Sequence, residues 1–125
     1  MKFYICEHCG NLVSMVQDAG VKMVCCGEKM KELVPNTVEA AVEKHIPVIT
    51  VNNDLVSVNV GSIEHPMTQE HSIQWICLVS EQGSQLKKLQ PADPPEASFA
   101  LTQGDKPTEV YAYCNLHGLW KANVI

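Results

Sequence analysis

Five side chains, spread over more than half of this chain, offer the donor atoms of a transition-metal site. The stretch Tyr111-Ala112-Tyr113-Cys114-Asn115-Leu116-His117-Gly118-Leu119-Trp120-Lys121 sets a thiol and an imidazole three residues apart, with a glycine directly after. The residues before it alternate as a strand does. A strand that runs into a tight loop presents two ligands from rigid backbone. A single pair of this kind is more often a buried cysteine beside an unrelated surface histidine. Upstream, however, His45, His65 and His71 all lie in short loop-like segments, so four of the five histidines can converge with Cys114.

A second cluster, Cys6-x2-Cys9-x15-Cys25-Cys26, accounts for four of the six cysteines. Cys6-Glu7-His8-Cys9-Gly10 reads as a thiolate knuckle in which Gly10 lets backbone amides turn towards the sulfurs. Four thiolates suit zinc or iron equally. Two disulfides are the alternative, disfavoured in a reducing compartment. The adjacent pair Cys25-Cys26 cannot take the relaxed knuckle geometry at both ligands, so a distorted tetrahedron is expected. His8 is expected at the surface, because four sulfurs complete the shell.

These ligands need elements to hold them. Two domains are expected, residues 1–35 and 36–125. The first has short β-like runs at 3–5 and 12–17 and too few residues for a self-sufficient core, so a bound metal must staple it. Pro35-Asn36 reads as a linker. Asn36 is expected to cap a helical turn through residues 37–42, with Glu39 at the capping-box position. That turn delivers Glu43-Lys44-His45 and is stopped by Pro47. From Val48 onward the pattern has period two. Val56, Val58 and Val60 alternate with polar residues, as do Ala97, Phe99 and Leu101, and Glu109, Tyr111 and Tyr113 alternate with Val110 and Ala112. Ile73, Trp75, Cys77 and Val79 alternate with Gln74, Ile76 and Leu78, so this strand is expected to be buried on both faces. Turn residues at 53–54, 81–84, 91–95 and 103–105 separate the runs, so the second domain is expected to be an antiparallel β-sandwich of about seven strands. Between two of them, 61–71 carries His65 and His71 in a loop containing Pro66. Cys77, amid apolar neighbours in mid-strand, is expected in the core and not as a ligand.

Composition narrows the partners. Of the 125 residues, 46% are hydrophobic and 18% charged, a soluble-globular balance. No apolar run reaches the roughly 20 residues of a membrane span. The N-terminus runs straight into the cysteine motif without a signal-peptide pattern, and a cytoplasmic location is expected. A net charge of −5 disfavours nucleic acid and anionic membranes as partners. An anionic substrate must then be drawn in by a local cation. Two other classes compete for these residues. A blue-copper carrier also presents Cys and His after a late strand, but it uses two fewer histidines and a downstream methionine. A zinc-stapled binding module explains the first four cysteines and leaves the histidines and Cys114 without a role.

Taken together, Cys6-x2-Cys9-x15-Cys25-Cys26, Glu43-Lys44-His45-Ile46-Pro47, His65-Pro66-Met67-x3-His71 and Tyr113-Cys114-Asn115-Leu116-His117-Gly118 resemble the desulfoferrodoxins, the two-iron class of superoxide reductase. The resemblance runs from Cys6 to Lys121. It implies a small rubredoxin-like domain with ferric iron held by Cys6, Cys9, Cys25 and Cys26, then an immunoglobulin-like sandwich with the active iron. It implies His45, His65, His71 and His117 as equatorial ligands and Cys114 as axial thiolate, leaving one coordination position open. The implied activity is reduction of superoxide to hydrogen peroxide, in a cytoplasmic homodimer supplied with electrons by rubredoxin or a similar protein. On that reading Lys44 attracts the anion and orders a proton-donating water, and Glu43 closes the sixth position after product has left. Lys121 is a weaker source of the same positive field. The tetrathiolate iron is structural or an electron relay.

Overall fold

Apolar and polar residues alternate along most of the chain, and chain segments patterned this way bury one face each as paired strands. The computed structural model describes all 125 residues, Met1 to Ile125, which group into two compact units, Met1–Val34 and Pro35–Ile125.

In the first unit, β1 (Phe3–Ile5) is flanked by β2 (Leu12–Ser14), while β3 (Val24–Cys25) and β4 (Glu28–Lys29) form a hairpin that leads to β5 (Lys31–Glu32) on the other side of β1. Its buried residues are Phe3, Cys6 and Met30. Three side chains supply about 1.5–3 kcal/mol each at most, far short of the ordering entropy of a unit this size. The run expected over 12–17 stops at Ser14, and a turn follows in which the Asp18 carboxylate accepts the Gly20 amide at 2.8 Å.

The second unit begins with a single helical turn, α1 (Val42–His45), and continues as seven strands. These are β6 (Pro47–Asn52), β7 (Leu55–Val60), β8 (Ile73–Ser80), β9 (Gly83–Lys88), β10 (Glu96–Ala100), β11 (Pro107–Cys114) and β12 (Gly118–Asn123). They form a three-stranded sheet, β10-β7-β6, and a four-stranded one, β12-β11-β8-β9, antiparallel throughout. These orders match the A-B-E and G-F-C strands of an immunoglobulin-like sandwich, with β9 as a fourth strand beside C. Val56, Val58 and Val60 of β7 and Phe99 of β10 meet Ile76 and Leu78 of β8 and Val110 and Ala112 of β11, all buried. Cys114 belongs to the same core and is 0% exposed.

Two expectations need correction. The helix does not start at Asn36. That residue has a left-handed φ of 62°, and its side-chain amide donates to Lys121 O at 3.1 Å and accepts from Lys121 N at 2.9 Å. Asparagine tolerates this conformation, and bonding to a strand edge outcompetes a cap on a turn whose Thr37 and Val38 are poor helix formers. The helical turn is confined to Val42–His45, with Ala41 before it and no side-chain cap. In β8, Trp75, Cys77, Ile76 and Leu78 are buried on both faces, but Gln74 is exposed. The register shifts there, since Tyr113 faces Trp75 while Cys114 faces Ile73. A bulge of this kind bends the strand and re-aims the side chains beside it, and it falls where Cys114 leaves the sheet.

Candidate metal centres

The sulfur atoms of Cys6, Cys9, Cys25 and Cys26 all lie within 4.8 Å of one another, and all six cysteines of the chain are free thiols. Gly10 has φ +83°, which closes the first knuckle. The adjacent pair reaches one point because Cys26 is itself left-handed (φ 53°) and Gly27 follows at φ 75°, so the backbone reverses within one residue. Asn11 lies over the cluster, donating its amide N–H to Cys9 Sγ at 3.5 Å and its side-chain N–H to Cys25 Sγ at 3.7 Å. Backbone amides, chiefly that of Cys9, bring the Cys6 thiol down to about 6, whereas bonding to Cys6 and Cys9 pushes Cys26 up to about 12. Four thiolates this close cannot all carry charge without a cation between them. The donor set and its separations fit a tetrahedral metal ion. His8 is exposed, 3.0 Å from the Glu28 carboxylate.

The second cluster sits at one end of the sandwich. α1 and the loop after β7 supply His45 and His65, the following turn supplies His71, and the β11–β12 hairpin supplies Cys114 and His117. The four imidazoles form a closed ring in the order His45, His65, His71, His117. Successive ring centroids lie 4.7, 4.6, 5.1 and 4.9 Å apart, and successive rings are crossed at 75–88°. The diagonal from His45 to His71 is longer, 6.4 Å, as in a square. His45 Nε2 is 3.1 Å from His65 Nε2 and 3.1 Å from His117 Nδ1. Cys114 Sγ lies 4.0 Å from His117 Nδ1, on the core side.

Hydrogen bonds behind the ring settle which nitrogen faces inward. His45 Nδ1–H donates to Ala41 O and His65 Nδ1–H to Pro66 O, both at 2.7 Å. Each ring therefore keeps the Nε2 lone pair free. His71 Nε2 is buried and has no hydrogen-bond partner. A buried polar atom left bare costs about 1–3 kcal/mol, so the cage is built for something that bonds to it. Burial pushes the pKa of His45, His65 and His71 down, His65 to about 4. Neutral imidazole, the form that binds metal, is thus the resting state. Burial raises the Cys114 thiol, and the backbone amides of His117 and Leu116 oppose it, so a cation is needed to make the thiolate. Five converging soft donors, four nitrogen and one sulfur, fit an open-sided transition-metal site.

The surrounding residues explain how loops hold so regular a shape. Cys114 pairs with Gly118 across a three-residue loop, and Gly118 takes φ 78°, the left-handed residue that such hairpins require. Asn115 ties this loop to the one before β8. Its side chain accepts Ser72 N–H at 3.0 Å and donates to Glu70 O at 2.9 Å. Thr68 and His71 bond reciprocally, Thr68 N–H to His71 O at 2.9 Å and His71 N–H to Thr68 Oγ1 at 3.1 Å. Gly61 packs flat against α1: a Cβ there would lie 2.5 Å from Glu43 O. Ile63 N–H and Ser62 Oγ–H hold that same oxygen at 2.9 and 3.2 Å. Trp120 stacks on His45. Sequence reasoning singled out none of Gly61, Asn115 or Trp120 for a role. Only the position of Asn115 between two donors hinted at one.

His45, His65 and Cys114 are buried while His71 and His117 are partly exposed, so the cage opens on the His71–His117 side. Glu43 and Lys44 are exposed beside it, and the Lys44 charge bears on both His45 and His71. Lys121 is instead paired with Glu109 at 2.8 Å and lies over the Tyr111 ring. Cys77 is buried in β8, where desolvation raises its thiol to about 11.

Comparison with known proteins agrees with this arrangement. Residues 37–123 match the family model described as desulfoferrodoxin, and residues 1–33 match the desulfoferrodoxin N-terminal domain. The chain is 48% identical to a desulfoferrodoxin of Syntrophotalea carbinolica over 122 residues, covering 98% of this chain and 95% of that one. It is 39% identical to a superoxide reductase of Pyrococcus horikoshii over 66% of its own length and 86% of the relative's. Among solved structures, the superoxide reductase of Treponema pallidum superposes with a TM-score of 0.81 at 43% identity, covering 96% of this chain and 98% of that one.

Proposed function

The chain belongs to the desulfoferrodoxin family, and from that premise we propose that it is a superoxide reductase carrying two iron ions. The observation that carries this reading is the square of four imidazoles with the buried Cys114 thiol beside it and its His71–His117 side partly exposed to solvent. Iron held by His45, His65, His71, His117 and Cys114 would supply one electron to superoxide bound at the open position. With that electron and two protons, superoxide becomes hydrogen peroxide and no dioxygen is formed.

The chain's own residues shape the rest. Lys44 draws in the anion, because an exposed ammonium near the opening is the local cation that a chain of net charge −5 otherwise lacks there. The same ammonium would order a water able to donate a proton to the bound substrate. Glu43, on the same exposed turn, would be the chain's own carboxylate ligand to the metal when no substrate is bound. The Leu116 and His117 amides oppose the effect of burial on Cys114 and so favour the thiolate that would hold the metal. Cys6, Cys9, Cys25 and Cys26 hold a ferric ion that staples the first unit and optionally relays electrons.

An outside one-electron donor such as rubredoxin completes the cycle. We place the protein in the cytoplasm, supported by two clusters built on cysteine ligands that a reducing compartment keeps available for metal, and as a homodimer. β6 is an edge strand of its sheet and carries Val48 and Val51 at 43% and 44% exposure, and an apolar unpaired edge of this kind supports that assembly. No helix is long and apolar enough to cross a membrane. Metal analysis with a visible spectrum tests the reading. Two irons per chain with thiolate-to-ferric bands, and peroxide formed from superoxide without dioxygen, are expected. A colourless zinc protein or a single intense copper band would overturn it.

A further inference from the structure

Trp120 is 2% exposed and stands in β12 opposite Ala112, whose methyl group leaves room for an indole on the inner side of the sheet. Its ring stacks on His45, with centroids 4.9 Å apart and planes 26° from parallel. Its indole N–H donates to His117 O at 3.1 Å. His45 and His117 are neighbours in the imidazole square but lie 72 residues apart in sequence. Each has some support of its own. The Ala41 carbonyl fixes the His45 tautomer, yet a single bond to Nδ1 leaves the ring free to rock about it. His117 sits on the exposed side of a three-residue loop.

We infer that Trp120 is a positioning residue that fixes two of the four imidazoles at once, the plane of His45 through the stack and the reach of His117 through the indole bond. A flat indole face restricts rocking of the parallel imidazole. The N–H bond pins the carbonyl of the residue whose own amide faces the Cys114 sulfur. A single rigid side chain in a strand thereby couples a donor on α1 to one in the β11–β12 loop, as residues behind a metal's ligands generally do. The inference rests on the reading that this cage holds a metal.

The test uses the full chain and two variants, Trp120→Leu, which loses both contacts, and Trp120→Phe, which keeps a stacking ring and loses the N–H. Cobalt(II) is the probe of affinity, its binding here distinguished from that at the tetrathiolate by the weaker single-thiolate absorption. The ferric spectrum of iron-loaded protein and the thermal unfolding of metal-free protein accompany it. Trp120→Leu is expected to lower cobalt affinity about 10- to 100-fold and to shift the thiolate-to-ferric band. Trp120→Phe is expected to fall in between and to shift the band as well. Variants that match the parent in affinity and spectrum, with only their metal-free unfolding temperature lowered, would reduce Trp120 to a packing residue and overturn the inference. Should Trp120→Leu fail to fold, Trp120→Phe decides by the same two readouts. Absence of cobalt binding in the parent would strike the metal-site reading itself, a different result from loss in the variants.

Discussion

Gly61→Ala is the sharpest probe of how the cage is held. A methyl carbon at Gly61 would lie 2.5 Å from Glu43 O, 3.0 Å from Ile46 O and 3.0 Å from the Lys44 carbonyl carbon. All three are backbone atoms of α1 and its exit, so no rotamer change relieves the overlap. Against an ordinary contact of 3.4 Å, α1 must retreat by about 0.9 Å. The hydrogen bonds from Ile63 N–H and Ser62 Oγ–H to Glu43 O stretch in the same movement, at about 1 kcal/mol each. With overpacking of about 1–3 kcal/mol, the metal-free fold should lose about 3–5 kcal/mol, a large share of a typical stability margin. His45 lies two residues beyond Glu43 and moves with the turn, while His65, His71 and His117 stay on other segments. A displacement of about 1 Å at one ligand or catalytic group can cost a hundredfold. Urea unfolding of the metal-free protein reads the first effect, and metal titration with the superoxide rate of the loaded protein reads the second. Stability and affinity both within error of the parent would refute the claim that Gly61 is required for α1 to approach the cage.

Other perturbations separate the remaining parts. Lys44→Ala should slow superoxide capture at low ionic strength, with the difference fading as salt rises; a pulse-radiolysis rate equal to the parent's at low salt would remove Lys44 from the capture step. Glu43→Ala should change the ferric visible spectrum without abolishing turnover, and an identical spectrum excludes it as a ligand. Asn115→Ala removes the side-chain bonds to Ser72 and Glu70, which should cost about 1–2 kcal/mol and speed hydrogen exchange in the 68–72 turn; unchanged exchange there would show that the turn holds itself. Acid should destabilise the metal-free fold, because burial brings His65 from an ordinary 6.5 down to about 4. Between those values the unfolded chain binds a proton that the folded one does not, so stability falls as pH drops through the window. His65→Gln should flatten that slope, and a slope identical to the parent's would show that His65 does not set it.

Strand content was legible because alternation is a local property. Val56, Val58 and Val60, or Ala97 and Phe99, show their buried face without reference to any partner, and the turn residues between runs mark where pairing must reverse. The mainly β architecture and the burial of Cys77 follow from such patterns. The helix expected from Asn36 was misread for the complementary reason. Its capping pattern is genuine as local sequence, but the strand edge at Lys121, 85 residues away, offers Asn36 two backbone bonds and prevails. Gln74 was likewise grouped with its apolar neighbours, since a register shift is invisible until the partner strand is known.

Primary structure by itself determines which donor atoms exist and the hairpin that carries Cys114 and His117, because thiol and imidazole chemistry, three-residue spacing and a left-handed glycine are all properties of adjacent residues. Only the folded chain decides the rest. The cyclic order of the imidazoles, the bare nitrogen on His71, the flat approach of Gly61 and the indole that spans His45 and His117 depend on how two sheets pair and stack. Those are contacts between residues tens of positions apart, and their geometry comes from packing that no short stretch of sequence contains.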